Sequence, residues 1–240
     1  MTRTRIAGAL VALALLVAGC GDDDDAATTT TLATTTTTTT TTASESTTTE
    51  PVSLEQPAIW PAADVVFDTP EDAAADFVEQ ALGVPATLGD FMQGDSRSGE
   101  IEVRSPGEGD ASTPVVRSVL FLRQLGPDDA WFVIGAANDN VTIDEPETGS
   151  VMAPGPVSVE GVARGFEGTV VVQAFPMGDA STVLDEVVTR GGAMADSEPY
   201  LVTLEVSSVS SGDVVTLLVR GGTGLETDPG EFSAVPVVVS

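Results

Sequence analysis

The chain has 240 residues, which is enough for one or two domains. It carries 37 acidic residues against 9 basic ones, all of them arginine, for a net charge of -28, and it has no histidine and one cysteine. This composition excludes a Ser-His-Asp triad, a lysine Schiff base, an internal disulfide and a thiolate metal cluster, and it argues against a nucleic-acid partner, which needs a basic surface.

Residues 1–19 have the pattern of an export signal. Arg3 and Arg5 precede a run of Ala, Leu and Val that is too short to span a bilayer core of ~30 Å. The run ends in Leu16-Val17-Ala18-Gly19-Cys20, which resembles the lipobox of bacterial lipoproteins and contains the single cysteine. The resemblance implies cleavage before Cys20 and transfer of a diacylglyceryl group to its thiol, and it allows acylation of the new amino group, for example with palmitate. The membrane would then be a partner through this anchor, with the protein on its extracytoplasmic face.

A low-complexity segment follows the cysteine. Residues 22–25 are all aspartate, and 16 of the 22 residues from Thr28 to Thr49 are threonine. Because the segment has no apolar face to bury, we predict a disordered spacer over residues 20–58 that is dispensable for folding. Tracts of this kind resemble the O-glycosylated stalks of exported proteins from high-GC Gram-positive bacteria.

Residues 59–137 form the first predicted domain, which combines one helix with antiparallel strands. Thr69 is placed as the N-cap, Pro70 takes the first helical position, and Gly83 follows the last residue of the apolar stripe. The strands are predicted at residues 100–104, 115–125 and 131–135. This order of elements indicates a small α+β layer, for which a cystatin-like or NTF-like half-barrel is one candidate.

Two arginines on the long predicted strand are the candidate site of this domain. Alternation places Arg117 and Arg123 on the same strand face, so we considered an anion-binding face for a carboxylate ligand. The alternative is cross-strand pairing with acids such as Glu100 and Glu102, which is common in sheets.

Residues 138–240 form the second predicted domain, with strand patterning throughout and no helical stripe. The strands are predicted at residues 141–144, 157–163, 169–175, 183–189, 201–206, 214–220 and 233–239. So many short strands in about 100 residues indicate an all-β sandwich of immunoglobulin type. The predicted fold class is therefore a small α+β domain followed by an immunoglobulin-like sandwich. The loop Arg220-Gly221-Gly222-Thr223-Gly224 joins the last two strands, and loops at one end of a sandwich are the usual place for a ligand.

The second domain also resembles a known family. The similarity is carried by Asn140-Val141-Thr142-Ile143, by the strand from Pro156 to Ala163, by the corner Phe166-Glu167-Gly168 and by the ending Phe232 to Val237. These stretches resemble the bacterial spore germination immunoglobulin-like domain, of the type found with GerMN domains. Their motifs are structural. The resemblance implies an extracytoplasmic accessory module for binding or spacing, and it brings no catalytic residues.

The junction between the two predicted domains contains a metal candidate. Asn138-Asp139-Asn140 resembles part of the cadherin linker that binds calcium, and Asp144 is placed to supply a further oxygen. The leading aspartate of that motif is Ala136 here, which removes a ligand. We therefore predict a linker turn, in which Asn and Asp cap their own backbone, and no specific metal site.

Together these observations predict a non-catalytic, lipid-anchored cell-envelope protein that presents a binding or spacer module outside the membrane. We expect a cell-wall or envelope protein as partner, no nucleic acid and no cofactor. Two alternatives remain open. One is a wall-directed hydrolase that uses two carboxylates, and the other is a calcium-dependent adhesion module.

Overall fold

The structure is a computed structural model that describes residues 54–106, 113–193 and 196–240. All of these residues belong to one compact unit. The predicted signal peptide, Cys20 and the spacer up to residue 53 lie outside the described residues. Within the described part of the chain, no helix is both long enough and apolar enough to cross a membrane.

Helix α1 spans Pro70–Ala81 and begins as its sequence predicts. The hydroxyl of Thr69 accepts a hydrogen bond from the Asp72 N–H at 3.2 Å and donates one to the Asp72 carboxylate at 2.7 Å. Pro70 occupies the first helical position, where the missing N–H costs nothing. Gly83 follows the helix with φ at 69°, a left-handed conformation that favours glycine. The predicted cap and end of the helix are therefore confirmed.

Twelve β-strands follow α1 in the described residues. They are β1 (Met92–Gln93), β2 (Ser98–Ser105), β3 (Val115–Leu125), β4 (Ala130–Ala137), β5 (Val151–Met152), β6 (Pro156–Gly165), β7 (Thr169–Pro176), β8 (Asp185–Arg190), β9 (Gly192–Ala193), β10 (Glu198–Glu205), β11 (Val214–Gly221) and β12 (Phe232–Val239). The predicted strand at residues 141–144 is not a continuous strand. Thr142 and Asp144 nevertheless donate their N–H groups to carbonyls of β6, each at 2.8 Å.

Nine of these strands form one large sheet. Its order is β1-β2-β3-β4-β12-β11-β7-β8, with β5 added in parallel to β12. A second sheet has the order β10-β6-β9. The predicted fold class, one helix with antiparallel strands followed by an immunoglobulin-like sandwich, is confirmed. The large sheet continues across the predicted domain boundary at residues 137 and 138, because β4 pairs with β12.

The strands shared by the two parts are buried on both faces. In β11 the five residues from Val215 to Val219 are all buried. Leu217 lies in the sandwich core together with β6 and β10, whereas Leu218 lies in a second core together with α1. Phe77 of α1 packs against Phe232 of β12 in that second core, with ring centroids 6.3 Å apart. Burial on two faces explains why β11 is apolar from Val214 to Val219 except at Thr216, instead of alternating.

The large sheet is narrowest between β4 and β12, which are paired only at Ala136 and Ala234. Beyond this bridge, β4 and β12 no longer pair with each other and each forms hydrogen bonds to a different segment. On the β12 side, Gly149 N–H donates to the Pro236 carbonyl at 2.7 Å, and β5 continues this pairing. The two strands therefore diverge and leave a wedge between them.

Residues 58–60 fill the β4 side of this wedge. The Ile59 N–H donates to the Val133 carbonyl at 2.9 Å, and the Val133 N–H donates to the Trp60 carbonyl at 2.8 Å. The Ile59 carbonyl accepts the Gly178 N–H at 3.1 Å and the Thr216 hydroxyl at 3.2 Å. This short segment therefore connects β4 to β11 and to the end of β7.

Residues 54–58, which the sequence assigns to the spacer, also make contacts in the packed unit. Leu54 is half-buried against a small cluster, and Ala58 is fully buried in it. The Glu55 carboxylate accepts the Gly126 N–H at 2.8 Å, and this bond lowers the pKa of that carboxyl. Because of these contacts, we expect removal of residues 54–58 to lower the free energy of unfolding.

We expect truncation to Leu54 to leave the free energy of unfolding unchanged. Truncation to Ile59 should lower it by about 2 kcal/mol, because the buried apolar surface of Leu54 and Ala58 is lost. Urea titration of the two truncated chains beside the full chain measures both values. Equal stability of all three chains would show that residues 54–58 contribute nothing.

The shared sheet predicts that the described unit unfolds in one transition. The two tryptophans, Trp60 and Trp131, report on the α+β part, and the single tyrosine, Tyr200, reports on the sandwich. Fluorine NMR of a chain labelled at both residue types should lose all three native signals at the same urea concentration. Leu218→Ala should lower the free energy of unfolding by about 2–5 kcal/mol, as is typical of a buried leucine. All three signals should then be lost at the same, lower urea concentration. A separate Tyr200 transition would contradict this expectation.

Candidate functional site

Three chain segments meet at one end of the sandwich. The first is the corner between β6 and β7, the second is the loop between β11 and β12, and the third is the beginning of β3. They bring two arginines, two carboxylates and one exposed aromatic ring together: Arg117, Arg164, Phe166, Asp228 and Glu231. We call this group the loop-end cluster.

Arg164 and Glu231 form the first ion pair of the cluster. Nε and one terminal nitrogen of Arg164 donate to the two carboxylate oxygens of Glu231, both at 2.6 Å. Asn140 donates a third bond to Glu231, at 3.2 Å. The hydrogen bonds that Arg164 donates to Glu231 raise the pKa of Arg164. Bidentate geometry fixes the planes of both groups, so this pair forms a rigid wall of the neighbouring cavity.

Arg117 and Asp228 form the second ion pair. Their closest atoms are 2.5 Å apart, and the other oxygen of Asp228 accepts the Gly230 N–H at 2.9 Å. The Asp228 side chain is 4% exposed and that of Arg117 is 23% exposed. The buried Nε–H of Arg117 has no hydrogen-bond partner among the described residues. Each oxygen of Asp228 therefore accepts one hydrogen bond, whereas Arg117 uses one of its two terminal nitrogens on Asp228.

Phe166 is 51% exposed beside the two pairs, and the backbone around it is fixed. Its N–H donates to the Gly222 carbonyl at 2.6 Å. Glu167 has φ at 55°, a left-handed conformation that is uncommon for residues other than glycine and costs of order 1 kcal/mol or more. A Cβ on Gly224 would lie 3.3 Å from the Phe166 ring, so the glycine leaves room for the ring. The backbone of this corner therefore holds the Phe166 side chain at a defined position on the surface.

Two shallow cavities lie on either side of Arg117. One, of about 200 Å³, is bounded by Phe166, Arg164 and the glycine-rich loop. The other, of about 230 Å³, is bounded by Val115, Asp228 and Leu225, which is 46% exposed. Both cavities are therefore lined by ion-paired polar groups together with exposed apolar side chains.

Arg117 and Arg123, the arginines predicted to share an anion-binding face, do alternate onto the same side of β3. They are six residues apart, or roughly 20 Å along a strand. Arg123 is 3.6 Å from Asp95, an exposed carboxylate. The Arg97 N–H, the Ser98 hydroxyl and Arg123 all lower the pKa of Asp95. The structure thus pairs each guanidinium with a different acid, neither of which is Glu100 or Glu102, and an anion-binding face stays a prediction.

Asp139 and Asp144, the calcium candidates, are both exposed and border a groove of about 430 Å³. The side-chain oxygen of Asn138 accepts the N–H groups of Asn140 and Val141, at 2.8 and 3.1 Å, as expected of a capped turn. No group of three or more carboxylate, histidine or cysteine side chains that could hold a metal occurs in the part of the chain that the structure describes. Cys20, the predicted lipidation site, lies outside that part.

Sequence reasoning placed Arg117 among the candidates but missed its partner and the rest of the cluster. Phe166 was noticed only as part of a corner shared with a family. Arg164 and Glu231 are 67 positions apart, so no local spacing connects them. One feature of the sequence does indicate the cluster. The ends of predicted strands lie next to Arg164, Phe166 and the Gly-rich loop.

The Arg164–Glu231 pair gives a stability prediction. Arg164→Leu should lower the free energy of unfolding by about 2 kcal/mol, because it leaves the half-buried Glu231 carboxylate without its main partner. Arg164→Leu together with Glu231→Leu should recover most of this loss. Arg97→Leu is the matched control, because the Arg97–Asp129 pair is exposed and should be worth less than about 1 kcal/mol. Equal losses for Arg97→Leu and Arg164→Leu would contradict the structural role.

The comparisons with known proteins concern the sandwich. No curated protein and no solved structure matched the chain. A family model does match, over about a third of the chain, and its span includes Arg164 and Phe166. This agrees with the resemblance found in the sequence. Residues 140–220 are similar to the family described as the immunoglobulin-like domain of bacterial spore germination.

Proposed function

We propose that this protein is a non-catalytic, lipid-anchored component of the cell envelope that presents the loop end of its sandwich as a binding surface. The observation that carries the anchor is the single cysteine, Cys20, directly after an apolar run and small residues. Two or more acyl chains hold a protein stably on a bilayer. The long Thr-rich stretch between Cys20 and Leu54 would give the folded unit reach above the membrane.

The binding role is supported by the composition of the loop-end cluster. Exposed Phe166 borders the same cavity as Arg117, and phenylalanine and arginine are both enriched in protein interfaces relative to the rest of the surface. Loops at one end of an immunoglobulin-like sandwich are a common recognition surface. The matched family is named for an envelope process of spore-forming bacteria, which is in keeping with an extracytoplasmic place.

The carboxylates of the cluster favour recognition over hydrolysis. Asp228 and Glu231 each lie 2.6 Å or less from a guanidinium group. Both oxygens of each carboxylate accept hydrogen bonds from the protein. A general acid or base needs a carboxyl oxygen within hydrogen-bond reach of the substrate, whereas these oxygens are held in structural ion pairs.

The anchor is tested by replacing its thiol. In a bacterial host that processes lipoproteins, the wild-type chain should incorporate labelled palmitate and partition into the detergent phase, and Cys20→Ser should do neither. A matched control combines Cys20→Ser with Ser46→Cys, which returns a thiol to the chain away from the apolar run. We expect this control to remain unlabelled. Equal labelling of the control, or a wild-type chain that stays in the aqueous phase, would refute the proposed anchor.

A further inference from the structure

The loop-end cluster has properties that restrict the chemistry of its ligand. We propose that it binds an uncharged glycan, with one sugar ring against Phe166 and a second across Arg117. This inference rests on the proposed function, since it names the ligand class of the same surface.

Charge is the first restriction. The two arginines and two carboxylates of the cluster cancel, and each cation is already in contact with an acid. An anionic ligand would have to compete with Asp228 and Glu231 and would approach a chain of net charge -28. A cationic ligand would have to displace arginines from the same carboxylates. The site is therefore suited to a ligand that is polar and uncharged.

Hydrogen-bonding capacity is the second restriction. Arginine has five N–H donors, and Asp228 is the one side-chain acceptor that Arg117 contacts among the described residues. On the other wall, Arg164 and Glu231 place donors and carboxylate acceptors side by side in fixed planes. Sugar hydroxyls both donate and accept, so neighbouring hydroxyls match such an alternation, whereas an apolar ligand would offer no acceptor to the remaining N–H groups of Arg117.

Phe166 supplies the third restriction. Its half-exposed ring is flat, apolar and held by a fixed backbone, so a ligand that stacks on it would lose little conformational entropy of the protein. Sugar rings have one face of C–H groups and an edge of hydroxyls. Such a ring can lay its C–H face on Phe166 while its hydroxyls contact Arg164 and Glu231, because all three side chains border the same cavity.

The dimensions set the length of the ligand. The cavity beside Phe166, at about 200 Å³, has room for roughly six water volumes, which is the scale of a single sugar ring. The second cavity, of about 230 Å³, begins on the other side of Arg117 and contains Leu225. A disaccharide that spans Arg117 would fill both. We therefore infer that affinity increases from one sugar unit to two and levels off soon after.

The test uses the full chain in detergent and isothermal titration with neutral oligosaccharides of one to four units, built from N-acetylglucosamine, glucose, galactose or mannose. We expect at least one series to bind, with a gain of tenfold or more from one unit to two. Phe166→Ala should weaken that binding at least tenfold, and Phe166→Trp should retain it. Leu201→Ala, an exposed apolar residue on β10, is the control and should leave binding unchanged.

Several results would overturn the inference. These are no binding by any of the four series, binding that survives Phe166→Ala, or tighter binding of a polyanion such as poly(glycerol phosphate) than of the neutral sugars. Binding of a protein partner at this surface that Phe166→Ala abolishes, without any sugar binding, would also overturn it. Membrane partitioning through Cys20 is measured separately. Loss of sugar binding with an intact anchor therefore rejects the glycan alone, whereas an unanchored wild-type chain rejects the proposed function.

Discussion

A single β-bridge, between Ala136 and Ala234, joins the two halves of the large sheet, and the surrounding structure satisfies the backbone groups that this narrow junction leaves unpaired. Buried hydroxyl groups do part of this. Ser118 Oγ lies 2.9 Å from the Ala137 carbonyl and 2.8 Å from the Phe232 carbonyl. Ser233 Oγ accepts the Asn138 N–H and donates to the Val141 carbonyl. Residues 58–60 and the segment that leads into β5 occupy the two sides of the wedge. The α+β part and the sandwich are thus held together by backbone and side-chain hydrogen bonds as well as by a shared core.

The loop-end cluster depends on this junction. Arg117 directly precedes Ser118, and the Asn138 side chain donates to the Arg117 carbonyl at 2.8 Å. Glu231 directly precedes Phe232, whose ring packs in the core beneath α1. The two arginines therefore extend from strand positions that are fixed by the core, Glu231 directly adjoins β12, and the site does not need to be organised by its ligand. Such preorganisation reduces the entropy lost on binding.

Much of the architecture could be predicted from local sequence, because local physics determines it. The Thr69 cap and the alternation along β3 need only neighbouring residues, and both are confirmed. The wedge could not be predicted in this way, since Ile59 lies far along the chain from Val133 and Thr216. The same limit applies to the site: Arg117 and Asp228 are 111 positions apart, and cross-strand alternation indicated only nearer acids. The apolar residues of β11 predict a strand, which is confirmed. The sequence of a single strand does not show that other elements cover both of its faces.

The position of residues 58–60 has a mechanical consequence. The chain on the N-terminal side of Leu54 continues from this segment, so tension on that part of the chain acts first on the contacts of Leu54 and Glu55 and then on the middle of the sheet, not on an edge strand. The bonds of Ile59 and Trp60 to Val133, Gly178 and Thr216 connect the segment to β4, to β11 and to the end of β7. These hydrogen bonds bear the applied force together, so several must break at once before residues 58–60 leave the sheet. A strand peeled from an edge gives way one bond at a time. The described unit is therefore built to resist pulling from its N-terminal end.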